Sequence, residues 1–325
     1  GFRNLPYATD QRFSFLYSSH SAYQFHYRGE FNHISRNADI LLRAKYSSPA
    51  IRNFFGLGNR TTASSDRTGA FYRIRYKELE LEALFRHRYF ERLHISFGPY
   101  YYHYESKFSD NNTGILAKPR QLGLDSADIF SSKMYLGGKA VVSFDNRNND
   151  IFPTRGIFWK NELVAVTGLN NGADKYSRIT TDMTIYASQK EPAKVVGVIR
   201  FGGGHIFGKN FEYFQALDLG ANNGLYGFRK NRYAGKSSIY ASLELRAKMF
   251  DIKSSVLPGP LGLIGFYNAG RVGLKDIRDR KWHGAFGGGI YFIPFNLFFI
   301  SATAGFSQQE RIYNISIGSK INLTY

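Results

Sequence analysis

Eight histidines, two glycine triplets and 25 carboxylates are the groups of this chain whose types could do chemistry, and their spacing decides which chemistry is open. Metal-dependent hydrolysis would need H-E-x-x-H on a helix or a tight acidic cluster, and the sequence has neither. His87 and His94 lie in Arg- and Tyr-rich strand ends and read as girdle or lumen residues. Gly202, Gly203 and Gly204, and again Gly287, Gly288 and Gly289, could suggest a phosphate cradle. Such a cradle needs a helix after it, and strand-like sequence follows both triplets, where glycine relieves crowding or bends a sheet. A serine hydrolase would carry its nucleophile in G-x-S-x-G, which is absent. With no cysteine, disulfide scaffolds, Cys-zinc sites and thiol catalysis are excluded. The chain is therefore read as no enzyme, with no cofactor and no metal.

The other chemical signal is charge. Net charge is +18, and nucleic acid is the usual partner for such a surplus. Here Lys and Arg are scattered along strands and turns, with no basic helix, tail or reader motif, so no nucleic-acid partner is expected. Basic residues in a membrane barrel can instead face the lumen or the phosphates of lipopolysaccharide.

The elements that would position these groups are strands. In the closing stretch IYNISIGSKINLTY, Tyr313, Ile315, Ile317, Ile321, Leu323 and Tyr325 share one parity. Asn314, Ser316, Gly318, Lys320, Asn322 and Thr324 share the other. A period of two over this length is a strand with one apolar and one polar face. It fits the last strand of an outer-membrane barrel, apolar toward lipid and small or polar toward a wet interior. An edge strand of a soluble sandwich gives the same alternation. Tyr and Phe are abundant (23 and 29), which suits half-buried pleats and lipid-interface girdles. Mean hydropathy is negative and no run of about 18 apolar residues exists, so no transmembrane helix is predicted. A barrel strand needs only about 10 residues with every second one apolar.

Strand-like segments recur along the whole chain: 11–19, 22–34, 38–48, 70–88, 92–106, 130–145, 155–168, 176–189, 194–207, 237–250, 260–272, 284–293, 296–306 and 311–324. That is fourteen, or fifteen if NFFGLGN at 53–59 pairs. Single-chain bacterial barrels usually have an even number, and sixteen would follow from a first strand at or before Gly1. In 70–88 the apolar parity shifts from Tyr72, Ile74 and Tyr76 to Leu79, Leu81 and Phe85, which predicts a bulge near Lys77. Tyr100, Tyr101, Tyr102 and Tyr104 read as an interface girdle. Residues 107–128 and 208–236 read as long loops. The predicted fold is an all-β transmembrane antiparallel barrel over 1–325. Gly1 opens in what reads as mid-sequence, so a processed or truncated protein is expected.

Three segments resemble the BamA/TamA superfamily of outer-membrane assembly and secretion barrels. FDNRNNDIFPTRG, with Asp145, Arg147, Phe152, Pro153 and Gly156, resembles the family's hairpin between two central strands. LYGFRKNRYAG, from Leu225, Tyr226, Gly227, Phe228 and Arg229 through Arg232, followed by the strand SLELR, resembles the tip of its sixth extracellular loop. FYNAG, with Asn268, sits where the family carries Phe-x-Asp-x-Gly. Their order matches too, and the opening GFRNLPYATDQR resembles Bacteroidota members, some of which carry an upstream calcineurin-like phosphoesterase domain.

The resemblance implies a loop folded into the lumen, its Arg-Gly-Phe/Tyr tip touching acidic wall residues. Here Tyr226 replaces that Arg and Asn268 the Asp, while Glu244 remains on the polar face of its strand. The expected rebuilt contact is Tyr226 hydrogen-bonded to Asn268, with Arg229 or Arg232 on Glu244. Losing both charges together avoids leaving one buried and unpaired. The alternative is that these residues merely line a hydrated lumen.

The resemblance also implies location in a Gram-negative outer membrane and insertion or export of client outer-membrane or surface proteins. The working element would be a seam between first and last strands, the last-strand side including Tyr313, Ile315, Ile317, Gly318, Leu323 and Tyr325. Implied partners are these clients, outer-membrane lipids and lipopolysaccharide, and accessory lipoproteins. Two other functions fit: a passive anchor for an upstream enzyme domain, and a diffusion channel.

Overall fold

The structure, a computed structural model, describes residues 8–18, 22–64, 66–90, 92–190, 192–274 and 280–319. Lys320, Leu323 and Tyr325 lie outside the described residues, as does a strand at or before Gly1. Sixteen strands are present among the described residues. They are β1 (Thr9–Ser18), β2 (Ala22–Ser35), β3 (Ala38–Asn53), β4 (Arg73–Tyr89), β5 (Leu93–Glu105), β6 (Ser132–Asp145), β7 (Gly156–Gly168) and β8 (Tyr176–Ser188). Then follow β9 (Val195–Phe207), β10 (Leu217–Leu219), β11 (Tyr233–Gly235), β12 (Ser237–Ile252), β13 (Gly259–Gly273), β14 (His283–Phe292), β15 (Phe298–Ser307) and β16 (Arg311–Ser319).

Fourteen of them form one antiparallel meander in sequence order, and the short β10 and β11 pair apart from it. The wall therefore holds fourteen strands among the described residues. NFFGLGN adds no wall strand: Leu57 makes a single bridge to Ala234. β9 pairs with β12 across the excursion 208–236. No pairing joins β1 to β16 among the described residues. The three longest connections (54–72, 106–131, 208–236) all lie at one end, while those at the other are mostly short, a barrel's asymmetry between its two rims.

Alternation fixes which face is which. Phe13, Phe85, Leu163, Leu243, Phe286 and Ile315 are exposed on the outside of a continuous apolar belt. β4 shows how the belt ends. Its even positions face inward from Ile74 to Arg88, and its register with β5 runs without a shift past Lys77. The expected bulge at Lys77 is absent; the irregularity lies in the neighbouring strand, between Ser47 and Ala50. The apolar parity changes because the surroundings change. Above the belt, Ile74 and Tyr76 are buried inward and Arg73, Arg75 and Lys77 point outward; within it, Glu78 and Glu82 face inward and Leu79, Leu81 and Phe85 outward.

The expected tyrosine girdle is also corrected. A period-two strand cannot turn Tyr100, Tyr101, Tyr102 and Tyr104 to the same side. Tyr100 and Tyr104 are buried on the inner face, in a core built with the folded-in loops. Tyr104 stacks on Phe214 at 3.9 Å between ring centroids, and Tyr102 stacks on the same ring at 6.3 Å. Burial of these rings against loop residues Leu116, Ile129, Tyr213 and Phe214 seals the long-loop end.

The inner wall is split in charge. On β2–β8, Glu82 takes Arg43 at 2.9 Å and Lys139 at 2.7 Å, and Asp39 takes Arg86 at 2.8 Å and Arg88 at 3.2 Å. Glu162 lies 3.3 Å from Lys160 and 3.8 Å from Arg178. Across β13–β16 the inward positions carry no Asp, Glu, Lys or Arg among the described residues. Glycine, alanine, serine and threonine dominate there, and Ser301 and Ser316 share a hydrogen bond of 2.7 Å across the last strand pair.

Candidate functional site

The segment 208–236 folds into the space the wall encloses. Its first part is held from β3, where Arg52 donates to the carbonyls of Phe214 (2.9 Å) and Ala216 (3.1 Å) and pairs with Asp218. Asn231 also donates to Asp218 at 2.7 Å. Burial pushes the Asp218 carboxyl above its ordinary range, and the Arg52 guanidinium opposes that shift. β10 and β11 then form a short ribbon that projects residues 220–232 as a tip. Asn59 fastens the ribbon's neighbourhood to β13: its amide donates to the Val272 carbonyl (2.7 Å) and its oxygen accepts from the Val272 N–H (2.9 Å).

The tip is clamped at three places. Leu225 and Phe228 are buried with Tyr233, Val272 and Ala285. Gly227 lies flat on β14 and β15: a Cβ there would sit 2.4 Å from the Ala285 Cβ, and one on Gly305 would sit 2.7 Å from the Gly227 Cα. Here glycine is required by close approach of two backbones.

Arg232 is the third clamp and is fully buried. It donates to the Thr61 hydroxyl (2.9 Å), the Thr61 carbonyl (2.7 Å) and Gln309 Oε1 (2.9 Å), and its plane lies over Phe55 and Tyr233. Glu310, in the turn between β15 and β16, lies 3.7 Å from Arg232 and 3.4 Å from Arg229, and accepts from the Arg229 backbone N–H at 2.8 Å. Burial lowers the Arg232 guanidinium pKa, while Tyr233 and Glu310 raise it. One loop arginine thus ties together the β3–β4 loop, the tip and the last hairpin turn.

A second plug enters from the short-turn end. Asp145 receives two Arg147 guanidinium bonds (2.8 and 2.6 Å), Asn146 accepts from the Ile157 N–H (2.6 Å), and Asn149 accepts from the Ile151 and Phe152 N–H groups (2.8 and 3.0 Å). These side-chain bonds replace a regular hairpin and turn Phe152 inward. Phe152 meets Tyr291 and Phe299 at 5.1 and 5.6 Å, under the Arg246 guanidinium. Pro153 is buried beside it. Tyr226 from the loop tip packs on the same cluster, Ile264, Phe266, Tyr291 and Ile293. Two of the sequence motifs, distant in the chain, therefore meet on the third along the uncharged side of the wall.

The model of the Omp85 superfamily domain matches residues 6–293. This chain belongs to the Omp85 superfamily. Solved barrels agree at the level of fold. BamA from Haemophilus ducreyi lacking POTRA domains 1–3 is similar with TM-score 0.63 at 14% identity, covering 91% of this chain and 62% of that one. CdiB from Acinetobacter baumannii gives 0.56 at 10% identity, covering 95% and 53%. CdiB from Escherichia coli gives 0.51 at 13%, covering 91% and 55%. The chain thus spans less than two thirds of each of these proteins. A comparison with curated protein sequences finds no match.

Within this Omp85 chain the expected contacts of the loop tip are corrected. Tyr226 does not bond Asn268. Its ring stands edge-on to Phe266 at 5.6 Å, and its hydroxyl accepts from Arg200 at 3.3 Å. Arg200 is in turn held by Asp182 (3.1 and 3.0 Å), which also accepts from Tyr240. Asn268 is fully buried two residues from Phe266, with neither amide atom hydrogen-bonded. Nor does Glu244 take Arg229 or Arg232: it pairs with Arg246, its same-face neighbour on β12. That pair is local, so the loop arginines turn to Glu310.

Sequence reasoning missed Glu310, Gln309, Thr61, Ala285 and Gly305. One signal was available, since Glu310 is the one carboxylate after Asp279. Of the terminal-strand residues, Tyr313, Ile315 and Ile317 face outward and are exposed, while Gly318 pairs with Phe299. No group of three His, Cys, Asp or Glu suited to a metal occurs among the described residues.

The Omp85 hairpin gives one direct prediction. Gly156 has φ +113°, and a Cβ there would lie 2.6 Å from the Asn146 carbonyl oxygen. Gly156→Ala should cost about 1–3 kcal/mol and lower the thermal midpoint of the folded barrel. An unchanged midpoint would show that this turn does not carry the strain assigned to it.

Proposed function

We propose that this chain is the membrane-spanning part of a Gram-negative outer-membrane machine that inserts or exports outer-membrane or surface proteins. The observation that carries the reading is the pair of unjoined edges. Among the described residues, neighbouring wall strands are paired throughout the meander, yet β1 and β16 are not paired with each other. An unpaired edge offers a row of N–H and C=O groups that can template a client strand by backbone pairing. Such a mechanism is non-covalent and needs no cofactor or metal. The smooth, uncharged inner face of β13–β16 supports it, because a strand sliding past meets no ion pair that must be broken. Membership of the Omp85 superfamily supports the same reading. The folded-in loop and hairpin fill the interior and weigh against a diffusion channel.

The partners proposed are client barrels or surface proteins, outer-membrane lipids and lipopolysaccharide, and accessory lipoproteins; a phosphoesterase domain upstream would turn the chain into an anchor. Depletion from the native host followed by quantification of the outer-membrane proteome separates the two. Broad loss of other barrels is expected. If no other outer-membrane protein declines, the assembly reading falls and the anchor replaces it. Closure is read separately: Ser316→Cys with Ser14→Cys, both on the inward parity, cross-links if the edges approach in that register.

A further inference from the structure

The position of outward-facing cations points to a second binding surface. On the outward faces of the fourteen described wall strands, Lys and Arg occur at five places: Arg73, Arg75 and Lys77 on β4, Arg271 on β13 and Arg311 on β16. All five sit at the long-loop end. None sits at the short-turn end, and none lies within the apolar belt. A strand threading a symmetric bilayer has no reason to place its cations at one rim alone.

β4 carries the densest group. Arg73, Arg75 and Lys77 follow one another on one face, about 6.7 Å apart at strand spacing. Immediately below them the same face becomes Leu79, Leu81 and Phe85. Arg73 and Arg75 are exposed, and Arg75 donates to the Asp110 carbonyl at 3.3 Å. Lys107, also exposed, extends the group across β5. The acidic groups facing it are Glu105, which lies 3.1 Å from Lys107 and 4.0 Å from Lys77, and Asp110. Four cations thus meet two carboxylates at the boundary between apolar belt and loops. Holding like charges this close is unfavourable unless an anion lies among them, and tetrahedral phosphate suits guanidinium and ammonium donors together.

We propose that the Arg73–Arg75–Lys77 ladder binds the phosphates of a phosphorylated outer-leaflet glycolipid, whose acyl chains lie on Leu79, Leu81 and Phe85. The proposal rests on the outer-membrane reading above and adds a named lipid site to it. It also accounts for the parity change in β4: cations face outward where headgroups begin, and the apolar residues face outward where acyl chains do.

The test uses the full chain in nanodiscs, wild type against Arg73→Gln/Arg75→Gln/Lys77→Gln, with lipopolysaccharide, dephosphorylated lipopolysaccharide or phosphatidylglycerol as the minor lipid. Lipid retained per protein after detergent extraction is counted by native mass spectrometry. Wild type should retain lipopolysaccharide about tenfold or more over the triple variant, and over its dephosphorylated form. Equal retention by the variant, or equal retention of the dephosphorylated lipid, overturns the site. Equal retention of phosphatidylglycerol, or displacement by inorganic phosphate alone, overturns the glycolipid as occupant. Arg271→Gln/Arg311→Gln, at the same rim but on the remote strands β13 and β16, keeps the comparison informative if the triple variant fails to fold: undiminished wild-type retention in that variant supports the β4 site, and its loss moves the site away from β4. Failure of wild type to integrate into any of the bilayers sinks the membrane reading itself, whereas integration with unaltered retention sinks the lipid site alone.

Discussion

Arg232→Ala should release the tip of the long loop from the barrel interior. The guanidinium is fully buried, holds Thr61 through two bonds and Gln309 through a third, and faces Glu310 at 3.7 Å. Its removal strands the Thr61 carbonyl and leaves Glu310, itself nearly buried, with Arg229 alone. Breaking a buried charged contact of this kind costs about 3–5 kcal/mol, and the surviving Arg229 contact brings the expected loss to about 2–4 kcal/mol. The docked-to-released ratio should then fall by about thirtyfold or more. Arg229→Ala should do far less, because that side chain is partly exposed and its ion pair is screened. Arg232→Lys should fall between, since an ammonium cannot span Thr61 and Gln309 as a planar fork does. Limited proteolysis of folded barrels reads the difference, as cleavage within 220–232. Equal cleavage of the Arg229 and Arg232 variants would remove Arg232 from its central role. A charge swap built on the expected Arg229–Glu244 contact, Arg229→Glu with Glu244→Arg, should restore nothing, because Glu244 already serves Arg246.

That swap shows where the sequence stops being readable. The strands were legible because a wall with one apolar and one polar face writes its surroundings into alternate residues, and all fourteen wall strands lie where the alternation places them. β4 was misread for the same reason: its environment changes along the strand, so the edge of the apolar belt looked like a bulge. The tyrosines of β5 were misassigned because a girdle and a capped lumen both reward aromatic rings. The loop partners were the least legible. Tyr226, Arg232, Asn268 and Glu244 were read as residues of one region, but pairing depends on which wall faces which. Glu310 becomes the partner of Arg232 only because the sheet curls until the last hairpin turn stands beside the β3–β4 loop.

The convergence of Phe152 and Tyr226 on the cluster of Ile264, Phe266, Tyr291 and Ile293 has the same origin. Phe152 comes from a turn at one end and Tyr226 from a loop at the other, and nothing in either segment encodes the meeting. What permits it is the wall they rest on. The inward faces of β13–β16 are small and uncharged, so aromatic rings can lie against them without displacing ions. A column of packed rings on that side, set against ion-pair networks on the other, holds the last strands from within.

The contact that sets how closely the loop can lie on this wall is between two glycines, and it gives the second large effect. Gly227→Ala should expel the tip, because its Cβ would stand 2.4 Å from the Ala285 Cβ, in a strand paired on both sides. Neither backbone can give way by a full ångström without breaking ladder bonds, so a cost of about 1–3 kcal/mol or more is expected. The obstacle is a single methyl group, and Ala285→Gly removes it. The double variant Gly227→Ala/Ala285→Gly should therefore recover most of the docking lost by Gly227→Ala, a coupling between touching residues that independent sites would not show. Gly305→Ala meets backbone instead, the Gly227 Cα at 2.7 Å and the Tyr226 carbonyl at 3.0 Å, and Ala285→Gly should leave it unrescued. A disulfide trap between Arg229→Cys and Glu310→Cys, formed in folded barrels of each background, measures docking directly. Rescue of both glycine variants by Ala285→Gly, or of neither, would mean that the loop is held off the wall by something other than this methyl group.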